Sequence, residues 1–195
     1  PLELGMPDDR FEHTGGLITK AEVRSVTLSK LGLQKDHILW DLRAGSGSVS
    51  VEAALFITAG RIFAVEQHKE RVRQIETNRD RFGVPNMTVV RAALPDGMDS
   101  LPVPDRVFIG GGGKLLPEIL QAAIDRAKPD TRIVLNTVLV GSMAKVSEVL
   151  QDNGWKPDIT QISVNRGKPM PHDMRLEALN PVWIITGEKP SQQQE

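Results

Sequence analysis

Helix and strand signals alternate along the chain. Ile38–Leu42 reads as a buried strand that runs into a glycine-rich turn. Val51, Ala54 and Leu55 then share one face of a short helix. Arg61–Glu66 is a second strand. Val72, Ile75 and Phe82 recur at near-helical spacing, and Gly83 and Pro85 end that helix. Strands are predicted over 87–90 and 106–109, the latter closed by Gly110, Gly111, Gly112 and Gly113. Leu115, Leu116, Ile119, Leu120, Ala123 and Ile124 form the apolar face of the next helix, with Pro117 in its first turn, where proline is tolerated. A fifth strand is predicted over 131–135. Met143, Val146, Val149 and Leu150 mark a helix stopped by Asn153 and Gly154. The last two strands, 158–164 and 182–186, have no helix signal between them, and the connection through 165–169 reads as a loop.

This alternation predicts an α/β fold with a mostly parallel sheet, helices on both faces, and an antiparallel pair at one edge. Open sheets of this kind bind ligands beyond the carboxyl ends of their strands, which directs attention to the exit of the first strand. With 195 residues, 39% hydrophobic and 25% charged, the chain suits one folded domain over 1–195. Within it we expect an N-terminal entrance segment (1–35), a core (36–190) and a frayed polar tail (191–195). A formal charge of −1 gives no sign of a nucleic-acid binder. The absence of cysteine excludes disulfides, thiolate metal sites and cysteine nucleophiles, and fits a cytoplasmic protein. Four histidines without ligand-like spacing give no case for a metal. No apolar run is long enough to span a bilayer, and the N-terminus lacks a secretion signal. The start at Pro1 is what a piece of a longer polypeptide would show.

Asp41, Leu42, Arg43, Ala44, Gly45, Ser46 and Gly47 form the turn after the first strand. Small residues there let the backbone approach a ligand, and the following helix N-terminus favours an anionic group. Glu66 ends the next strand, where a carboxylate can accept hydrogen bonds from both ribose hydroxyls. A dinucleotide fingerprint would need a third glycine where Ser50 stands. A methyltransferase turn needs an acid at the strand end followed by nearby glycines, and Asp41 supplies the acid. Arg43 departs from that pattern, which has glycine there; pointing inward, it would oppose a sulfonium. A tight turn beside a solvated Glu66 would explain the same residues without a ligand.

Several strings together resemble the CbiT-type cobalamin-pathway C15-methyltransferases, including the C-terminal half of the fused precorrin-6Y C5,15-methyltransferase (decarboxylating). They are 5–11 (GMPDDRF), 17–24 (LITKAEVR), the turn 41–47, 108–113 (FIGGGG) and 180–186 (NPVWIIT), spread over nearly the whole chain. The resemblance implies a class I S-adenosylmethionine-dependent methyltransferase: Rossmann-like, with a seven-stranded sheet carrying an antiparallel edge strand. It implies S-adenosyl-L-methionine as cofactor and a precorrin tetrapyrrole as substrate, methylated at carbon 15 with loss of the ring C acetate carboxyl group. It further implies a homo-oligomer, with a homotetramer expected, and a fused or associated C5-methyltransferase partner, which the Pro1 start suits. Carried over by position, the cofactor site comprises Thr19, the turn from Arg43 to Gly47, and Glu66, with Ala92, Ala93 and Leu94 beside the adenine. The family pattern often has a polar residue near Ala93.

Methyl transfer from a sulfonium to an electron-rich ring carbon rests largely on positioning and needs no activated serine or cysteine. A polycarboxylate substrate needs cations. Lys20 and Arg24 near the entrance, and Arg166, Lys168, His172 and Arg175 in the late connection, are candidates; solvated surface residues would look the same. Gly110, Gly111 and Gly112 could admit a flat macrocycle or donate backbone N–H groups. Thr19 and Glu22 have the spacing of a helix capping box, which alone would account for both. His13, as a proton shuttle, and Asn136, at the end of the fifth strand, are the catalytic candidates. Competing readings are a methyltransferase of another substrate class, a non-catalytic assembly module, and a dinucleotide oxidoreductase.

Overall fold

A computed structural model describes residues 1–111 and 113–190; Gly112 and the 191–195 tail, both named above, lie outside them. Seven strands, β1 (Ile38–Leu42), β2 (Arg61–Glu66), β3 (Met87–Arg91), β4 (Arg106–Gly110), β5 (Arg132–Thr137), β6 (Asp158–Ile162) and β9 (Val182–Glu188), form one sheet in the order β3-β2-β1-β4-β5-β9-β6. The five strands from β3 to β5 pair in parallel. β9 runs antiparallel to both neighbours and lies inside the sheet, so the edge itself is β6. The reversal of strand order at β1 opens a crevice above β1 and β4, where ligands of such sheets bind.

Alternation along the strands divides the core between two faces. Trp40, Leu42, Val107, Ile109 and Leu135 point to the face covered by α4 (Leu116–Asp125) and α5 (Val140–Asp152). Leu39, Ile62, Ala64, Phe108 and Val134 point to the face covered by α1 (Ala21–Leu31), α2 (Ser48–Ala53) and α3 (Lys69–Phe82). Each such fully buried aliphatic side chain contributes about 1.5–3 kcal/mol relative to exposure. By this alternation Asp41 belongs to the second face, in the same parity as Leu39, and it is wholly buried.

The late connection is more than a loop. Residues Asn165–Met170 (β7) and Asp173–Ala178 (β8) form an antiparallel hairpin, a two-stranded sheet separate from the main one. Its alternation is weak because both faces are exposed, so period-two patterning had no buried side to reveal it.

Two other expectations change on burial. Arg24 does not face an entrance: its side chain is completely buried. Its Nε donates to Glu52 Oε1 at 2.7 Å, one Nη to the Thr19 carbonyl at 2.5 Å and the other to the Met6 carbonyl, with the guanidinium 4.8 Å from the Phe11 ring centre. Glu52, equally buried, also accepts from the Gly5 and Met6 amides at 2.9 and 3.0 Å. This pair fastens the N-terminal segment onto α1 and α2. The capping box is not formed either. Lys20 is the residue preceding α1 and makes no side-chain cap; Asp8 accepts from the Ala21 amide at 3.0 Å instead.

Breaking a buried ion pair strands the remaining charge. Arg24→Met should therefore lower the unfolding free energy by about 3–5 kcal/mol in urea denaturation. A loss below about 1 kcal/mol, the range of exposed pairs, would show that the pair is dispensable.

Candidate active site

The turn after β1 has three consecutive odd positions in left-handed backbone: Arg43 (φ 63°), Gly45 (φ 60°) and Gly47 (φ 73°). A Cβ at Gly47 would meet Ile75 of α3 at 2.9 Å, so glycine is required there for close packing of the turn on α3. Beneath the turn, Ser50 Oγ donates to Asp41 Oδ2 at 2.6 Å. Ser50 occupies the position where a dinucleotide fingerprint would have glycine, and here its hydroxyl holds the strand-end acid. Asp41 Oδ1 has no hydrogen-bond partner among the described residues. Burial pushes the Asp41 carboxyl up to about 7, against the Ser50 hydrogen bond, and the charge of Glu66 adds to the rise. Asp41 thus supports the turn from below instead of reaching its outer surface.

Glu66 is 4% exposed and is held by backbone donors. Its Oε1 accepts from the Gln67 and His68 amides at 2.9 and 3.0 Å, and its Oε2 accepts from the Gly45 amide at 3.2 Å. Three N–H groups aim the carboxylate before any ligand arrives. It opens on a cavity of about 420 Å³, within the range of small-molecule sites. Val65, Ala92, Leu94, Leu115 and Ile119 supply apolar wall; Arg43, Gln67, His68, Arg71 and Lys114 supply polar wall. The expected residues Arg43, Glu66, Ala92 and Leu94 therefore converge on one cavity. Ala93 is exposed and does not line it. Leu115 lines the cavity and is 52% exposed, so it does not belong to the buried face of α4. His68, Arg71 and Lys114 were not legible as site residues, since nothing in their local pattern separates them from solvated helix and loop positions.

Arg43 neither points out nor pairs with an acid. No carboxylate among the described residues lies in ion-pair range of it, and its guanidinium extends over the loop after β4. A Cβ at Gly113 would come within 2.8 Å of Arg43 Nη1, and one at Gly110 within 2.9 Å of the Arg43 carbonyl oxygen. The two glycines make room for Arg43, a more specific need than a flexible turn or a slot for a macrocycle. Gly111 donates its amide to the Asn136 carbonyl at 3.2 Å.

Asn136 is buried at the end of β5. Its Nδ2 donates to Thr27 Oγ1 at 2.8 Å, and Thr27 Oγ1 donates to the Val23 carbonyl, also at 2.8 Å. The threonine proton is thus committed, which fixes the amide orientation and leaves Asn136 Oδ1 as an acceptor without a partner among the described residues. His13 lies next to Glu12, whose backbone is doubly bonded to Asn78 of α3; Asn78 Nδ2 also reaches the Ser46 carbonyl at 2.9 Å. This staple brings the His13 segment to the turn. His13 Nδ1 is likewise unpartnered among the described residues.

The remaining candidates lie apart from the cavity. Arg166 of β7 donates to both Glu22 oxygens at 2.9 and 2.6 Å and to Asp8 Oδ2 at 3.2 Å. Hydrogen bonding to Arg166 lowers the Glu22 carboxyl from its ordinary value. Lys20 approaches Asp8 at 3.8 Å. Lys168 and Arg175 share Glu177, at 3.1 and 3.4 Å. These cations are engaged with acids of the same chain, and Arg166 serves to dock the hairpin against the N-terminal segment. Thr19 contributes its carbonyl to Arg24 and flanks the start of α1. No group of three or more metal-ligating side chains occurs among the described residues.

Residues 9–189 match the model of the precorrin methyltransferase domain. The chain belongs to the precorrin methyltransferase family. It is 43% identical over 185 residues to a protein of Pyrobaculum calidifontis named probable cobalt-precorrin-6B C(15)-methyltransferase (decarboxylating), covering 93% of this chain and 94% of that one. It is 38% identical over 188 residues to the precorrin-6Y C(5,15)-methyltransferase [decarboxylating] of Sinorhizobium sp, covering 86% of this chain but only 45% of that larger protein. Among solved structures, that of precorrin-6Y C5,15-methyltransferase from Geobacter metallireducens superposes with a TM-score of 0.91 at 44% identity, covering 97% of this chain and 98% of that one. The sheet is the class I S-adenosylmethionine-dependent methyltransferase fold.

The raised Asp41 carboxyl has a consequence for stability. The folded chain keeps this proton up to about pH 7, whereas the unfolded chain releases it near the ordinary value of 3.8. Stability from this group is therefore greatest at acid pH and declines as pH rises across that window, by up to about 1.4 kcal/mol per pH unit. Urea denaturation from pH 5 to 8 should show this slope in the native chain and its loss in Asp41→Asn. Parallel pH profiles for the two would overturn the assignment.

Proposed function

We propose that this chain transfers the methyl group of S-adenosylmethionine to carbon 15 of a precorrin and removes the ring C acetate carboxyl group as carbon dioxide, a step of cobalamin synthesis. The observation that carries this reading is Glu66, fixed by three amides, one of them from Gly45 of the turn after β1, at the mouth of a cavity that Arg43 of the same turn also lines. The residues present suit the cofactor: an aimed carboxylate for a ribose diol, Ala92 and Leu94 as an apolar wall for adenine, and a turn with positive-φ glycines along which the amino-acid portion can run. The bound cofactor would supply an electrophilic methyl group on a sulfonium. The chain's part is to orient it and to exclude water. Ala93 offers no side-chain donor, so adenine recognition falls to the backbone beside Ala92 and Leu94.

On the substrate side, Asn136 is proposed to meet substrate through Oδ1, an acceptor that is buried beside the end of β4 and lacks a partner among the described residues. His13, stapled beside the turn, remains the proposed proton shuttle. Lys20, Lys168 and Arg166 would meet substrate carboxylates only by exchanging their present acid partners. We also propose that the chain assembles as a homotetramer in the cytoplasm, with a C5-methyltransferase as fused or associated partner. The projecting hairpin supports assembly, since it exposes Met170, Met174 and Leu176 at 52%, 62% and 72%. Among the described residues, no helix is long and apolar enough to cross a membrane.

Two measurements test these readings. Calorimetric titration with S-adenosylhomocysteine should show saturable binding, weakened about tenfold or more in Glu66→Ala through loss of a charge-assisted pair of hydrogen bonds. Transfer of labelled methyl into a tetrapyrrole, with release of carbon dioxide, should follow. Binding without any transfer, with the partner domain present, would favour a non-catalytic assembly role. Sedimentation should show an oligomer that the double variant Met174→Glu, Leu176→Glu reduces to smaller species; a monomeric native chain would refute the assembly.

A further inference from the structure

The cavity wall is more positive than an adenosyl ligand requires. Arg43, Arg71 and Lys114 are basic side chains, His68 stands beside them, and Glu66 is the only acid among the described lining residues. Glu66 is already held by three amides and lies 3.9 Å from Arg71. That leaves Arg43 and Lys114 without a carboxylate in ion-pair range among the described residues. Arg43 also holds a left-handed backbone, φ 63°, that glycine would adopt freely. Strain retained in a residue that lines a ligand cavity points to a role for its side chain.

We infer that Arg43 makes this site a charge filter, holding S-adenosylhomocysteine more tightly than S-adenosylmethionine and so coupling turnover to removal of the demethylated product. The inference rests on the reading that the cavity takes the adenosyl cofactor. The two molecules share adenosine, amino group and carboxylate; they differ by one methyl group and one positive charge at sulfur. Attraction of the wall for the shared carboxylate is the same for both and cancels. What remains is repulsion of the sulfonium, opposed only by the small gain from burying a methyl group. A volume of about 420 Å³ corresponds to a space roughly 9 Å across, comparable to the screening length in physiological salt, so the wall acts on a charge anywhere within it. Methyl transfer removes that charge. The wall therefore favours the step itself and disfavours release of what it leaves behind.

Calorimetric titration of the full chain with three ligands tests this: S-adenosylhomocysteine, S-adenosylmethionine, and sinefungin, in which an ammonium-bearing carbon replaces the sulfur. At low salt the neutral ligand should bind about tenfold more tightly than either cationic one, and the gap should narrow as salt is raised. Arg43→Gly should tighten both cationic ligands by about threefold or more while changing the neutral one less than twofold, and Arg43→Lys should keep the native ratio. Equal affinities in the native chain would overturn the inference. So would a Gly variant that weakens all three alike, which would make Arg43 an ordinary carboxylate anchor, or one that tightens all three alike, which would make it a steric gate. Failure of all three ligands to bind the native chain and both variants would remove the cofactor reading itself, and this inference with it.

Discussion

The buried ion pair between Arg24 and Glu52 sets where everything at the open end of the sheet can be. Both side chains are fully withdrawn from water, a state tolerated because each guanidinium nitrogen and each carboxylate oxygen finds a partner, with Asp8 a further 3.5 Å from the guanidinium. Those partners are the backbone of Gly5, Met6 and Thr19. One pair of charges therefore ties the N-terminal segment to α1 and α2. From there Asp8 reaches α1 and the hairpin through Ala21 and Arg166, and Asn78 fastens the chain at Glu12 to the cofactor turn.

The cavity divides its electrostatic work between two carboxylates. Asp41 lies under the turn, desolvated and met by one hydroxyl, and is held near neutrality. Glu66, one strand over, is met by three amides and faces the cavity. The difference in hydrogen bonding gives the first a structural task and leaves the second aimed at the cavity, as the proposed ligand contact requires. Across the cavity, Arg43 is accommodated by glycines of the loop after β4, so a departure in one family motif is matched by the open space of another.

Much of the fold was legible because its signals are local and repeated. The period-two and helical patterns placed the seven strands of the sheet and the helices α2 to α5 to within a few residues, whereas α1 carries no apolar stripe that could have placed it. Glu66 was legible as the end of the second strand, but its burial and its three amide donors were not. The hairpin was missed for lack of a buried face. Arg24 was misread because a sequence shows a cation's charge but not its burial. Lys114, Arg71 and His68 enter the site only because the start of α3 and the loop before α4 meet over one cavity.

The sequence by itself thus determined the α/β alternation and the family, and it pointed to Glu66 and the turn after β1 as the proposed cofactor site, all from residues close together in the chain. The tertiary structure decided which charges are buried, which are spent on one another and which are left facing the cavity. The physical reason is that desolvation and pairing depend on neighbours in space: Arg24 and Glu52 are 28 residues apart, Glu22 and Arg166 are 144 apart, and no local pattern encodes either meeting.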